Sequence, residues 1–256
     1  MISVRDLRVS YGATVVAHIP KMDLDAGQVL GIVGESGSGK SQTALALMGL
    51  THYSGGAVTG SVKLDEVELT ELSRKQWRHV RGHRIAMILQ SPRAALNLTI
   101  KLGDLFSRTL KLHGSPRAER QQRMEQALGE VVLDVEILDR YPHEVSGGQA
   151  QRFAIALVAA LRVDVLIADE PTSALDVTVQ SEVIDVLRRL RERHGTAILF
   201  ISHDLAVVSE LADQVMVMCQ GAVVEQGSVE QILHSPKERY TRELLAAVPV
   251  IGGTER

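Results

Sequence analysis

Short apolar stretches recur along the chain, and most are separated by longer segments with helical periodicity. Each stretch is four to eight residues long, the usual length of a strand in a sheet. The stretch at 61–64 alternates apolar and polar positions, as an edge strand does. The predicted strands are 2–9, 28–33, 61–64, 85–89, 163–168, 197–201, and 215–218 with 222–225 as a hairpin around Gln220-Gly221.

Helical periodicity is strongest in the middle of the chain. Residues 102–138 lack strand-like runs and have charge-rich turns, and further helices are predicted at 42–48, 146–161 and 179–192. Strands and helices alternate at both ends, with a helical block between them, which favours an α/β sheet core with an inserted helical subdomain. We predict a core formed by 1–91 and 162–230, a helical subdomain at 92–161 and a helical C-terminal tail at 231–256.

Composition narrows the class of protein. Hydrophobic residues make up 45% and charged residues 23% of the 256 residues, which is typical of a globular chain. The net charge of −3 gives no electrostatic footprint for nucleic acid. The single cysteine, Cys219, excludes an internal disulfide. No signal peptide is evident, and no segment reaches the ~18 apolar residues of a membrane span. Any spanning of a membrane is therefore expected from another chain.

The richest candidate for chemistry is a glycine-rich segment after the strand at 28–33. Residues Gly34-Glu35-Ser36-Gly37-Ser38-Gly39-Lys40-Ser41 fit G-x-x-x-x-G-K-[ST] between a predicted strand and a predicted helix. In this context the glycines let backbone N–H groups point at an anion, and the helix start adds its positive dipole end. Lys40 is predicted to reach the β- and γ-phosphates, and the Ser41 hydroxyl to bind Mg²⁺. The alternative is a flexible Gly/Ser turn.

A second acidic site follows the strand at 163–168. Asp169 and Glu170 come at its carboxyl end, where ligands of α/β sheets bind. Asp169 is predicted to hold Mg²⁺, directly or through water, and Glu170 to act as general base on the attacking water. An acidic turn at the end of a strand is the alternative.

A third motif indicates a protein family. Val145-Ser146-Gly147-Gly148-Gln149 precedes the helix at 146–161. With the two flanking motifs, it resembles the Leu-Ser-Gly-Gly-Gln signature of ATP-binding-cassette (ABC) ATPases, with valine in place of leucine. By itself it is also compatible with an ordinary Ser-capped helix start. The resemblance implies a P-loop, RecA-like core with antiparallel N-terminal strands, and it implies ATP and Mg²⁺ as ligands.

Four further landmarks of that family occur in order. Gln90 resembles the glutamine that senses Mg²⁺ and signals to the helical subdomain, and His203 the histidine that contacts the γ-phosphate. Tyr11 resembles the aromatic residue that stacks on adenine, and the segment 173–176 the one that crosses the dimer interface. The three single residues also have simpler readings: Gln90 as a surface polar residue, His203 as a cap at a strand end, and Tyr11 as a partly buried loop aromatic.

The resemblance also implies partners and a location. ATP would lie between the phosphate loop of one subunit and the Ser-Gly-Gly-Gln of a second ABC ATPase subunit, which in this branch is usually a different chain. The pair would serve two membrane permease subunits and, through them, a periplasmic or lipid-anchored substrate-binding protein. The chain would act as a peripheral protein on the cytoplasmic face of the bacterial inner membrane.

The tail and the segment after Gln90 resemble the peptide/nickel importer branch. Residues 90–97 are similar to Gln-x-Pro-x-x-x-Leu-Asn-Pro, with Leu98 replacing the last proline. Residues 141–144 match as well, and 235–245 are a variant of the His-Pro-Tyr-Thr tail. Because the cysteine-bearing extension of long peptide importers is not seen before Arg256, we expect nickel as cargo. Dipeptides or oligopeptides are the alternative.

Two other classes compete with a transporter. A soluble ABC ATPase of translation or DNA repair would usually carry two cassettes or a long coiled-coil insertion, and neither is seen. A regulatory, non-hydrolysing subunit is disfavoured by the intact Glu170, His203 and Ser-Gly-Gly-Gln positions. His79 and His83 have metal-ligand spacing, but Gly82 weakens the helix between them, and a solvated basic surface is expected there.

Overall fold

The computed structural model describes residues 1–173 and 175–247. Its strands are β1 (Ile2–Tyr11), β2 (Thr14–Leu24), β3 (Val29–Val33), β4 (Ala57–Leu64), β5 (Val67–Glu68), β6 (Ile85–Ile88), β7 (Val165–Asp169), β8 (Ala197–Ser202), β9 (Gln214–Cys219) and β10 (Ala222–Ser228). The α/β class predicted from the sequence is confirmed.

Helices connect most of the strands. They are α1 (Lys40–Leu47), α2 (Arg74–Val80), α3 (Pro92–Ala95), α4 (Leu102–Leu112), α5 (Arg117–Glu130), α6 (Gly147–Leu161), α7 (Val177–His194), α8 (Leu205–Ser209), α9 (Val229–His234) and α10 (Arg239–Ala246). Short 3₁₀ turns lie at Thr51–Ser54, Val135–Asp139 and Pro142–Glu144. No helix in the described ranges is both long and apolar enough to span a bilayer.

The chain divides into two compact units. The first comprises residues 1–23, 29–70 and 200–256, and the second comprises 24–28 and 71–199. Strand β8 crosses from the second unit into the first. The division into core, helical subdomain and tail that the sequence suggests stays a prediction.

The strands of the first unit follow the order β5-β4-β1-β2-β10-β9-β3. The N-terminal β1 pairs antiparallel with β4, and β9 pairs antiparallel with β10, as the predicted hairpin requires. The prediction of an edge strand at 61–64 is wrong, because β4 is longer and lies between β1 and the two-residue β5.

Strand β2 was not predicted at all. The sequence shows only a turn around Gly12 there.

The second unit combines the order β8-β7-β6 with most of the helices. Strands β6 and β7 are parallel, with Ile88 opposite Ala168. Helices α4 and α6 pack through Phe106 and Phe153, whose rings meet edge-on at 5.6 Å, a favourable aromatic geometry. The predicted helical stretch 102–138 is therefore confirmed as α4, α5 and a 3₁₀ turn.

Strand β3, which leads into the glycine-rich loop, is buried at all five positions. At Gly31 the strand approaches α8 so closely that a Cβ atom would lie 2.1 Å from Cγ1 of Val208. The absence of a side chain at Gly31 thus lets α8 cover the strand that positions the loop.

We expect Gly31→Ala to lower the free energy of unfolding by about 1–3 kcal/mol, because Val208 must move in a close-packed core. Urea denaturation of the whole chain measures this change. Gly129→Ala is the matched control. It lies in α5 with no atom within 4 Å of its added Cβ, so it should be neutral or slightly stabilising. Equal losses in the two variants would contradict the packing argument.

Candidate functional site

The glycine-rich loop connects a buried strand to a helix in the first unit. Strand β3 ends at Val33, α1 begins at Lys40, and the N-cap residue Gly39 has a φ of 99°. Positive φ is readily adopted by glycine and strains other residues. The strand–loop–helix order that the motif requires is therefore present.

Two glycines of the loop also pass very close to neighbouring backbone. A Cβ at Gly34 would lie 2.1 Å from the carbonyl oxygen of Met218, and one at Gly39 would lie 2.6 Å from the carbonyl oxygen of Val16. Both clashes are with backbone atoms, which cannot turn aside as a side chain can. The path of the loop thus depends on glycine at both positions.

Lys40 extends back across the inside of the loop. Its Nζ donates hydrogen bonds to the carbonyl oxygens of Gly34, at 2.7 Å, and Glu35, at 2.8 Å. The residue is only 4% exposed, and a buried ammonium group needs such acceptors. Ser38, also buried, lies 3.5 Å away. The positive charge is therefore fixed within the loop, where a phosphate chain would be bound.

The exposed part of the loop consists of Glu35, Ser36 and Gly37, and the predicted Mg²⁺ ligand Ser41 is also exposed. Glu35 has a partner that sequence reasoning missed. Its backbone N–H donates to the hydroxyl oxygen of Tyr240, at 3.0 Å. The only sequence signal was the tail motif around Tyr240, which suggested no contact with the loop.

Tyr11, the predicted adenine-stacking residue, lies at the end of β1. Its hydroxyl donates to Oε1 of Gln42 on α1, at 2.9 Å, and contacts Oγ of Ser54, at 2.7 Å. The side chain is half-buried. These contacts fix the ring beside the first turn of α1, and its stacking on a base stays a prediction.

In the second unit, the structure brings two of the predicted residues together. Gln90 donates from Nε2 to Oε2 of Glu170, at 2.8 Å. The register explains this contact, because each residue follows its paired strand residue, Ile88 or Ala168, by two positions. Glu170 has a φ of 47°, a strained conformation for a residue with a side chain. Asp169, the last residue of β7, is 6% exposed.

The Ser-Gly-Gly-Gln motif forms the start of α6. Ser146 is the N-cap, its Oγ accepts the N–H of Gln149, and Oε1 of Gln149 accepts the N–H of Ser146. This reciprocal pair is a capping box. A Cβ at Gly148 would lie 2.5 Å from Cγ1 of Val179, whereas Gly147 faces more open space. The motif therefore combines a firmly capped helix with an exposed N-terminal turn.

The remaining landmarks are less informative. His203 belongs to the first unit, is exposed and directly follows the last residue of β8. The predicted interface segment 173–176 includes Ala174, which lies outside the described residues. His83 contacts His113, with 3.3 Å between their Nδ1 atoms. The described residues contain no group of three or more His, Cys, Asp or Glu arranged to hold a metal.

The chain belongs to the ABC transporter family, whose model matches residues 18–173. It is similar to the glutathione import ATP-binding protein GsiA of Shigella dysenteriae serotype 1, with 47% identity over 238 residues. The protein of the same name from Shigella flexneri is 46% identical. Either alignment covers 90% of this chain, which spans only 38% of the relative's length. The chain is thus an ABC-type ATPase domain homologous to importer ATP-binding proteins.

Solved structures agree on the fold. The protein cbiO1 of Clostridium perfringens, part of the ABC transporter complex cbiONQ, superposes with a TM-score of 0.80 at 28% identity, covering 90% of this chain and 89% of that one. The ATP-binding cassette MJ0796, in a dimer bound to ADP and Pi, gives a TM-score of 0.77 at 23% identity, covering 90% and 99%. The second likeness supports the fold alone.

We expect Gly39→Ala to weaken nucleotide binding at least about tenfold, because it adds both backbone strain and a clash with Val16. Titration with a fluorescent ATP analogue measures the affinity. Gly55→Ala is the matched control, since Gly55 has a similarly positive φ of 79° but no atom within 4 Å of its added Cβ, and it lies outside the loop. Unchanged affinity in Gly39→Ala would show that the loop tolerates a different path.

Proposed function

We propose that this chain binds and hydrolyses MgATP to power the import of a peptide-like substrate, of the glutathione class, through separate membrane permeases. The observation that carries the proposal is the 47% identity, over 90% of the chain, to a glutathione import ATP-binding protein. The preformed phosphate loop and the Gln90–Glu170 pair support it chemically.

The phosphate loop has the features that a triphosphate requires. The Lys40 ammonium group is already held inside the loop, and glycines of such a loop allow backbone N–H groups to point at an anion. Ser41 and Asp169 offer the hydroxyl and carboxylate oxygens that Mg²⁺ prefers, with Gln90 as a further candidate. When bound, Mg²⁺ supplies charge neutralisation on the phosphate oxygens. Tyr11 is proposed to support the base, and His203 to contact the γ-phosphate.

Hydrolysis needs a base to orient water for attack on the γ-phosphate. Glu170 is proposed to accept a proton from that water, while the bond to the ADP oxygen breaks. Gln90 donates to one oxygen of the Glu170 carboxylate, which restricts the rotation of the carboxylate. We infer that Gln90 thereby links the state of the site to the helical part of the chain.

The complete site is proposed to form between two ATPase subunits in head-to-tail arrangement. The capped start of α6 comprises Ser146, Gly147, Gly148 and Gln149, of which Ser146 and Gly147 are exposed, and it is suited to contact the γ-phosphate bound by the other subunit. The pair is proposed to work with two permeases and a substrate-binding protein at the cytoplasmic face of the inner membrane. The second ATPase subunit is proposed to be a different chain.

The cargo proposal departs from the sequence-based expectation of nickel. Both relatives described above are named for glutathione import, which favours the peptide alternative. The nickel expectation depended on where the chain ends, and that position carries no information about cargo. Nickel remains the competing cargo in the test below.

We expect Glu170→Gln to lower kcat for ATP about 10²–10⁴-fold while ATP affinity persists, because the base is lost but the amide still accepts from Gln90. Lys40→Ala should instead weaken ATP binding about tenfold to a hundredfold, since a charge-assisted contact is removed. Phosphate release and nucleotide titration separate the two effects. Glu192→Gln, at an exposed position of α7, is the control and should behave as wild type. Undiminished hydrolysis by Glu170→Gln would refute the assignment of the base.

The cargo is tested in proteoliposomes that contain the permeases and binding protein co-purifying with this chain. Glutathione is expected to raise ATP hydrolysis and to accumulate inside the vesicles, because only a ligand that binds the two conformational states differently can drive the cycle. Nickel should do neither. Stimulation by nickel alone would restore the metal as cargo, and the Glu170→Gln complex serves as the inactive control.

A further inference from the structure

We propose that the C-terminal helix α10 positions the phosphate loop, with the hydroxyl of Tyr240 holding the backbone of Glu35 so that Lys40 is aligned for the nucleotide. This inference depends on the proposed binding of MgATP. It makes Tyr240 a positioning residue, since its hydroxyl acts through the backbone of Glu35.

Both backbone hydrogen-bonding groups of Glu35, its N–H and its carbonyl oxygen, are engaged. Its N–H donates to the Tyr240 hydroxyl at 3.0 Å, and its carbonyl oxygen accepts from Lys40 Nζ at 2.8 Å and from the N–H of Ser38 at 3.2 Å. One residue therefore joins the tail helix to the ammonium group. A shift of the Glu35 backbone would move an acceptor on which Lys40 depends.

Tyr240 is suited to this contact. A phenol oxygen accepts a hydrogen bond while its own O–H remains a donor. Burial raises the pKa of Tyr240, and the negative charge of Glu35 acts in the same direction, so the phenol stays neutral at physiological pH. An uncharged acceptor beside the loop does not repel a triphosphate, as a carboxylate would.

The start of α10 is itself fixed to the sheet. The Glu225 carboxylate on β10 accepts the N–H groups of Lys237, at 2.8 Å, and Glu238, at 3.1 Å. Burial by itself would raise the pKa of Glu225, but the hydrogen bonds that its carboxylate accepts, beginning with that from the N–H of Lys237, lower this pKa overall. They therefore favour the charged form of the acceptor. Arg242 donates to the carbonyl oxygens of Pro236 and Lys237, both at 3.1 Å.

The residue after Tyr240 supports the same docking. Thr241 is fully buried, so at this residue α10 packs against the rest of the first unit. The Tyr-Thr pair of the tail motif thereby has two distinct tasks, in which Thr241 packs the helix and Tyr240 reaches the loop. A buried anchor next to a hydrogen-bonding side chain gives that side chain a fixed position.

Tyr240→Phe tests the inference on the whole chain, since it keeps the ring and removes only the hydroxyl that accepts from Glu35. We expect the dissociation constant of a fluorescent MgATP analogue to rise about threefold to tenfold, the range for one lost hydrogen bond. KM for ATP should rise by a similar factor with kcat nearly unchanged. Tyr53→Phe is the matched control, because Tyr53 is exposed and lies outside the loop and α10. Its affinity should equal that of wild type.

Glu225→Gln tests whether the helix acts through Tyr240. Alone it should weaken binding in the same direction, because α10 loses its charged anchor. Combined with Tyr240→Phe it should add little, since residues in one hydrogen-bonded chain are not additive. Full additivity of the two effects would overturn the proposed route from β10 to the loop.

Amide hydrogen exchange at Glu35, measured by NMR, keeps the test independent of catalysis. Exchange of this N–H should accelerate in Tyr240→Phe and stay unchanged in Tyr53→Phe. Wild-type affinity and unchanged exchange in Tyr240→Phe, alongside impaired binding in Lys40→Ala, would overturn this inference and leave the proposed function intact. Failure of the wild-type chain to bind the nucleotide would instead overturn the proposed function.

Discussion

The contact between Lys40 and the carbonyl oxygens of Gly34 and Glu35 is the interaction on which the phosphate loop depends. It places a buried positive charge in a loop that has no room for a Cβ atom at Gly34 or Gly39, because neighbouring carbonyl oxygens lie where that atom would be. A site formed in this way before its ligand arrives spends little binding energy on reorganisation. The loop can therefore bind an anion tightly without large changes in the first unit.

The second unit shows how strand register determines chemistry. Parallel pairing of β6 and β7 brings Gln90 and Glu170 to equivalent positions just after their strands, and their side chains meet at 2.8 Å. The positive φ of Glu170 turns the backbone sharply at this point. Such strain persists only where the surroundings enforce it, and it is often found at functional sites. Here the Ser173 side chain and backbone both bond to the Glu170 carbonyl oxygen.

The sequence predicted those elements that carry a local signal. Continuous apolar runs predicted β3, β7 and β8, which are buried throughout, and the predicted helix start at Ser146 agrees with its place as the N-cap of α6. Strand β2 was not predicted because its alternation of buried and exposed positions is interrupted between Ile19 and Met22 by two exposed residues, Pro20 and Lys21. One of its two neighbours in the sheet, β10, is also distant in sequence. The Tyr240–Glu35 contact was not predicted, because 205 positions separate the two residues.

The same distinction explains why the nucleotide chemistry is easier to read from this chain than the cargo. Phosphates are bound by backbone geometry, lysine and carboxylates, whose spacing is visible in a single sequence. In the proposed mechanism none of these groups touches the transported substrate, so ATPases for nickel and for glutathione use the same residues here. Evidence about cargo must come from positions that contact the permeases, or from relatives. For that reason the 47% identity to a glutathione import protein outweighs the sequence-based expectation of nickel.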